Sequence, residues 1–168
     1  PHYKLRNENL LLQIGPSAFA MVSEVDYIGW TAFMAQLSAA FKKVAEANVA
    51  SKLLRFGMRY INFFEGNIFP DLKLNLSIDE DQLNTDATLL RTTVKTNNFT
   101  STVTIANGIT RTESNLIGSV IDIDVATEHL AVDFFSNSSA VLNAAHDTEK
   151  KLFFSLLKEP FTRFTADY

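Results

Sequence analysis

Three groups of side chains in this 168-residue sequence have types and spacings suited to chemistry. Arg59, Tyr60 and Asn62 fall in an alternating run, so Tyr60 and Asn62 share one side of a strand and Arg59 takes the other. Tyr60 and Asn62 then suit orienting a ligand, and Arg59 suits an anion or a partner carboxylate. The plainer reading packs Tyr60 beneath a helix, closes the strand end with Asn62 and pairs Arg59 across the sheet. Asp122 and Asp124, two apart on one strand face, offer hard oxygen ligands for Mg2+ or Ca2+. No third acid falls at a matching spacing, and Arg55 and Arg59 can match them as solvated ion pairs. His146 lies three residues before Glu149, as a general base oriented by a carboxylate would, or as a hydrogen-bonded histidine at a core edge would. The other histidines, His2 and His129, bring no serine elbow or metal pair with them. The acidic run at 78–82 lacks the Gly and distal Glu of a Ca2+ loop and reads as a solvated loop. Lys42, Lys43, Lys52 and Arg55 cluster near one helix end, where they complement its dipole. None of these sets specifies a cofactor or a metal.

Composition narrows the field further. With no cysteine there is no disulfide scaffold, thiolate metal site or Cys nucleophile, and the chain fits a reducing, cytoplasmic setting. No apolar run approaches the roughly 20 residues that span a bilayer, which argues against a membrane. A net charge of -4 lacks the basic footprint of a nucleic-acid binder.

The elements that must position these side chains can be read from periodicity. Residues 2–24 give three short strand-like runs split at Asn7-Glu8-Asn9 and Gly15-Pro16, the pattern of an antiparallel meander. Trp30, Phe33, Met34, Leu37, Ala40, Phe41 and Val44 recur at helical steps, between a start near Gly29 and an end near Asn48. A strand follows over 53–64, then an irregular acidic segment over 71–86. Thr-rich runs over 87–107 are split by a hairpin signal at Asn97-Asn98, with a second signal at Asn107-Gly108 for a tight turn or the start of a longer connection. Ile117, Ile121, Ile123 and Val125 share one face of the next strand, whose period breaks near Gly118-Ser119 as a bulge would. The last helix is expected to start near Ser138-Ser139, which are good capping residues, and to stop before Pro160. Its buried stripe is Leu142, Ala145, His146 or Glu149, Leu152, Phe153, Leu156 and Leu157. The tail beyond it is expected to pack loosely.

The expected fold is therefore α+β, one domain over residues 1–168. It has an antiparallel sheet of about six to seven strands in the order βββα-ββββα, with both helices on one face.

The segments "YIGWTAF" at 27–33 and "RFGMRYINFF" at 55–64 resemble a sporadically distributed bacterial family of uncharacterised proteins. That family carries Gly-Trp-x-x-Phe followed by Gly-x-Arg-Tyr-Ile-Asn. The flanking "LLLQIGPSAFAMV", "IDID" and "AAHDTEKKLFFSLL" agree in order. Phe63 departs from the family, which usually has a basic residue after the Asn. The resemblance implies that the chain, which starts at Pro1, is the C-terminal two-thirds of a longer parent with an additional strand and helix. Such scattered occurrence goes with defence or mobile-element cassettes; no activity comes with it.

The 14 Phe are unusually many, and they include the doublets Phe63-Phe64, Phe134-Phe135 and Phe153-Phe154. A doublet on a strand sends one ring to each face, so part of the apolar surface is expected away from the helices. The expected function is a non-enzymatic interaction module that binds a protein, or itself, through a sheet face or edge. The alternative is a helix-grip-like domain holding a small ligand between sheet and last helix. Arg59, Tyr60, Asn62, His146, Phe63 and Phe64 are the candidate binding residues. A third course, a hydrolase using His146 with Asp122 or Asp124, requires those side chains on the same sheet face.

Overall fold

The computed structural model describes residues 3–7, 9–24, 27–48, 53–112, 114–128, 130 and 134–159, without the side chains of 136 and 137. His2, Lys52, His129 and the tail from Pro160 lie outside the described residues. The chain forms two compact units that divide after Ala50.

In the first unit, β1 (Tyr3–Arg6), β2 (Leu10–Ile14) and β3 (Phe19–Ser23) form the expected antiparallel meander, in the order β1-β2-β3. Asn7 shapes the first turn, its Oδ1 accepting from the backbone N–H of Leu10 at 2.8 Å. Helix α1 (Trp30–Ala47) keeps both expected ends: it is preceded by Gly29 at φ 81° and closed by Asn48 at φ 49°. Asn tolerates that left-handed conformation better than most side chains do. Every residue of the expected stripe is buried or half-buried, and Leu37 and Phe41 are the most enclosed. Phe41 packs on Phe19 of β3, ring centres 5.6 Å apart.

The second unit is built on β4 (Phe56–Glu65), β7 (Leu89–Thr96), β8 (Phe99–Arg111) and β9 (Leu116–Thr127), antiparallel in the order β4-β9-β8-β7. Between β4 and β7 the chain makes an excursion. It contains a 3-10 turn at Phe69–Asp71 and a two-residue ribbon, β5 (Ser77–Ile78) with β6 (Asp81–Gln82). Helix α2 (Phe134–Leu156) packs on β9 and β4.

Four expectations change. The fold is α+β and antiparallel, but its largest sheet has four strands; β4 pairs with β9, far along the chain, and not with β3. Alternation marks a strand without naming its partner, so a layer of six to seven strands under both helices was not determined by it. Helix α2 starts at Phe134, upstream of Ser138-Ser139, because buried Phe134 anchors it on Phe56 with ring centres 6.0 Å apart. Asn107-Gly108 is no turn: β8 runs through it to Arg111, and Gly108 at φ 75° supplies the left-handed residue of a bulge. The bulge thus belongs to β8, opposite the Gly118-Ser119 pair that carried the break in period. Gly118 itself has another cause. A Cβ there would strike the Phe64 carbonyl and come within 2.7 Å of the Phe63 ring, which lies over it.

Both feet of the excursion are fastened at this bulge. The fully buried Ser119 Oγ accepts from the Ile68 N–H at 2.9 Å and lies 2.8 Å from both the Gly66 carbonyl and Asn107 Oδ1. Asn107 Nδ2 donates to the Thr85 carbonyl at 3.0 Å, and its backbone N–H to Thr88 at 2.9 Å. Further along, Lys73 N–H donates to the Leu156 carbonyl at 2.7 Å, tying the excursion to the end of α2. Among the described residues no helix is long and apolar enough to cross a membrane.

Candidate functional site

The alternation of β4 sends Phe56, Met58, Tyr60, Asn62 and Phe64 toward α2 and Gly57, Arg59, Ile61 and Phe63 to the opposite face. On the inner face α2 runs alongside β4. Phe134 meets Phe56, His146 meets Tyr60 and Phe153 stacks on Phe64. The two spans agree: about 28 Å of helix from Phe134 to Phe153 against about 26 Å of strand. Ile121, Ile123 and Val125 of β9 form the floor between them, all fully buried. Each contributes about 1.5–3 kcal/mol relative to exposure.

Polar groups interrupt this seam. Tyr60 Oη and His146 Nδ1 lie 3.1 Å apart, in hydrogen-bond contact. Glu149, one helical turn on, falls between His146 and Phe153 and so at the level of Asn62. Glu149 is 0% exposed, and neither carboxyl oxygen has a hydrogen-bond partner. Asn62 Nδ2 and Ser101 Oγ are likewise buried without one. Burial pushes Glu149 up to about 8 against the opposing charge of Lys150, so at neutral pH it is mostly a neutral acid. Burial, aided by Lys150, lowers His146 below its ordinary value, with Asp147 opposing. Glu149 and His146 are therefore both mainly uncharged at neutral pH. An unmade hydrogen bond to a buried polar group costs about 1–3 kcal/mol, so each orphan is a standing cost to the fold.

The outer face is arranged differently. Arg59 bonds Asp122 through two nitrogens, at 2.8 and 2.6 Å, and Arg55 reaches Asp124 at 3.5 Å. These are the solvated ion pairs that the sequence offered as the plainer reading of Asp122 and Asp124. The hydrogen bond to Asp122 raises Arg59 above its ordinary value, opposed by partial burial. Phe63 lies on this face too, with the Arg111 guanidinium 5.9 Å from its ring centre. Among the described residues no three His, Asp or Glu side chains gather as a metal site would need.

Of the six candidate residues, the structure brings Tyr60, Asn62, His146 and Phe64 to the inner seam and leaves Arg59 and Phe63 outside. Asn62 does not close the strand end, because β4 continues to Glu65. His146 and the aspartates occupy opposite faces of the sheet, so they cannot act together as a hydrolase and that course is excluded. Phe134-Phe135 and Phe153-Phe154 are helical, so the strand rule for doublets applies to Phe63-Phe64 alone. Ser101 went unrecognised, although its parity with Phe99, Val103 and Ile105 turns it inward.

The first unit offers a surface of another kind. Tyr3 and Leu5 of β1 stand opposite Ile14 and Leu12, and beyond them Phe19 and Met21, on the side where Phe41 packs. The far end of this apolar face is covered, yet Tyr3 is 68% and Leu5 58% exposed. Among the described residues β1 pairs only with β2 and stands at the end of the strand order.

No family model, curated protein or solved structure matches the chain.

Proposed function

We propose that this chain is a protein-interaction module of the resembled bacterial family, and that β1 is its docking edge. The carrying observation is the exposure of Tyr3 and Leu5 at the rim of an apolar face whose other members, Leu12, Ile14, Phe19 and Met21, are half-buried. An end strand with alternating apolar side chains, which meets no second strand among the described residues, suits an added strand, whose backbone supplies affinity and whose alternate side chains supply specificity. Self-pairing is disfavoured. Two antiparallel copies centred on Leu5 would oppose Lys4 to Arg6, and centred on Lys4 would oppose Lys4 to itself. The favoured occupant is an extended segment of another protein that alternates apolar with acidic residues, the acids facing Lys4, since Arg6 is already paired with Glu24 at 2.8 Å.

Amide NMR shifts during titration with a Val-Glu-Val-Glu-Val peptide test this reading. Saturable shifts confined to β1 and β2, lost in Leu5→Lys and absent with Val-Lys-Val-Lys-Val, support it. Equal response to both peptides, or none, overturns it.

A second reading keeps the helix-grip alternative. Its support is Glu149 and Asn62, whose unpaired polar atoms suit a small ligand carrying both donors and acceptors.

A further inference from the structure

Beneath the ribbon of the excursion lies a half-open cavity of about 390 Å3. Phe69, Pro70, Leu74, Leu76 and Leu83 form its apolar lining, and Gln82, Asn84 and Thr85 supply the polar part. This volume falls within the roughly 300–1,000 Å3 of ligand sites. The walls are held in advance. Asn67 Nδ2 donates to Thr85 Oγ1 at 3.1 Å, Leu83 N–H to the Leu76 carbonyl at 3.0 Å, and Asp86 N–H to Asn84 Oδ1 at 2.8 Å. Leu83 nonetheless remains 37% exposed and Ile78, at the ribbon tip, 68%. A compact loop fastened at both feet that still shows large apolar side chains to water is built for contact.

Charge indicates what kind of contact. From Glu65 to Thr88 the chain carries Glu65, Asp71, Asp79, Glu80, Asp81 and Asp86 against Lys73 alone. That local surplus exceeds the net charge of -4 of the whole chain, so the remainder is slightly positive. Lys158 approaches the same region, but its Nζ is engaged with the Pro70 carbonyl at 2.7 Å. Asp79, Glu80 and Asp81 crown the ribbon, all exposed.

We propose that this cavity receives the large apolar side chains of a peptide segment that carries Lys or Arg on either side, the ribbon-tip acids meeting those cations. The site is separate from β1 and takes a partner of the opposite charge. Exposed charges steer such an encounter and are screened by salt, whereas the apolar contacts are not.

Fluorescence anisotropy with labelled Lys-Phe-Leu-Lys and Glu-Phe-Leu-Glu peptides is the test. The basic peptide should bind and weaken severalfold between low and moderate salt. Leu83→Asp should cost about tenfold or more by placing a charge in the apolar contact, and the surface triple D79N/E80Q/D81N should cost less, a loss seen at low salt that fades as salt is added. Leu5→Lys should leave this binding intact even where it abolishes docking at β1, which separates failure of one site from failure of the other. Equal binding of the acidic peptide, undiminished binding by Leu83→Asp, or no binding of the basic peptide would overturn the proposal.

Discussion

The two faces of the four-stranded sheet solve the problem of polar side chains in opposite ways. On the outer face, Arg59 and Asp122 are paired with good geometry, but in reach of water. Exposed pairs of this kind contribute little, because water would serve both partners nearly as well. On the inner face, Glu149 is enclosed and has no partner. The paired charges are the inexpensive ones and the solitary acid is the costly one. Counting ion pairs would thus rank the faces in the wrong order of energetic consequence.

The largest expected effect follows from Glu149. Its folded-state proton affinity is raised, from an ordinary value of 4.5 to about 8. The native state therefore holds the proton more tightly than the unfolded chain. The stability linked to this group is fully present below about pH 4.5 and is lost as pH rises toward 8. At about 1.4 kcal/mol per unit, the loss by pH 8 is on the order of 3–5 kcal/mol. Glu149→Leu should raise stability by about that amount at pH 8, with much of the gain gone at pH 4.5. Denaturant unfolding at the two pH values checks it, and a pH-independent difference would break the contrast between the faces.

Tyr60→Phe should cost about 1 kcal/mol, the net worth of one buried hydrogen bond. His146 has its affinity lowered, so its contribution is present above its ordinary value of 6.5 and is lost as pH falls through the folded value. An NMR titration of the His146 ring should show it protonating below that ordinary value in the wild type. The smallest effect belongs to the outer face. Arg59→Met should change stability by less than about 1 kcal/mol, and addition of salt should shrink the difference further. A cost of 3 kcal/mol there would show that the exposed pair matters as much as the buried acid.

Much of this contrast was legible in the residues themselves. The α1 stripe and both its ends followed from spacing, as did the opposite facing of Arg59 and Tyr60. The matching of Arg55 and Arg59 to the two aspartates was readable too. What periodicity could not carry was partnership between distant segments. β4 finds β9 through a register fixed by the buried Ile121-Ile123-Val125 row, which only the folded ladder reveals. Placing the bulge on β8 needed the register of β8 against β9, which alternation does not carry either. Glu149 occupied an expected stripe position, but a stripe does not say whether a carboxyl there meets a donor or none. Helix α2 outran its capping serines because Phe134 had an aromatic partner far back in sequence.

The bulge at Gly108 has a consequence for how this chain can change. Ser119 and Asn107 clasp the departure and the return of residues 66–88 at a single spot. The ladder between β8 and β9 consequently does not register how much chain hangs from that clasp, and closing a longer loop adds only about 0.6 kcal/mol per doubling. The excursion is thus a cassette. Beyond the core residues Ile68, Phe69 and Leu72 and the tie of Lys73 to α2, its contents can be exchanged, lengthened or pared back while the sheet beneath keeps its alignment.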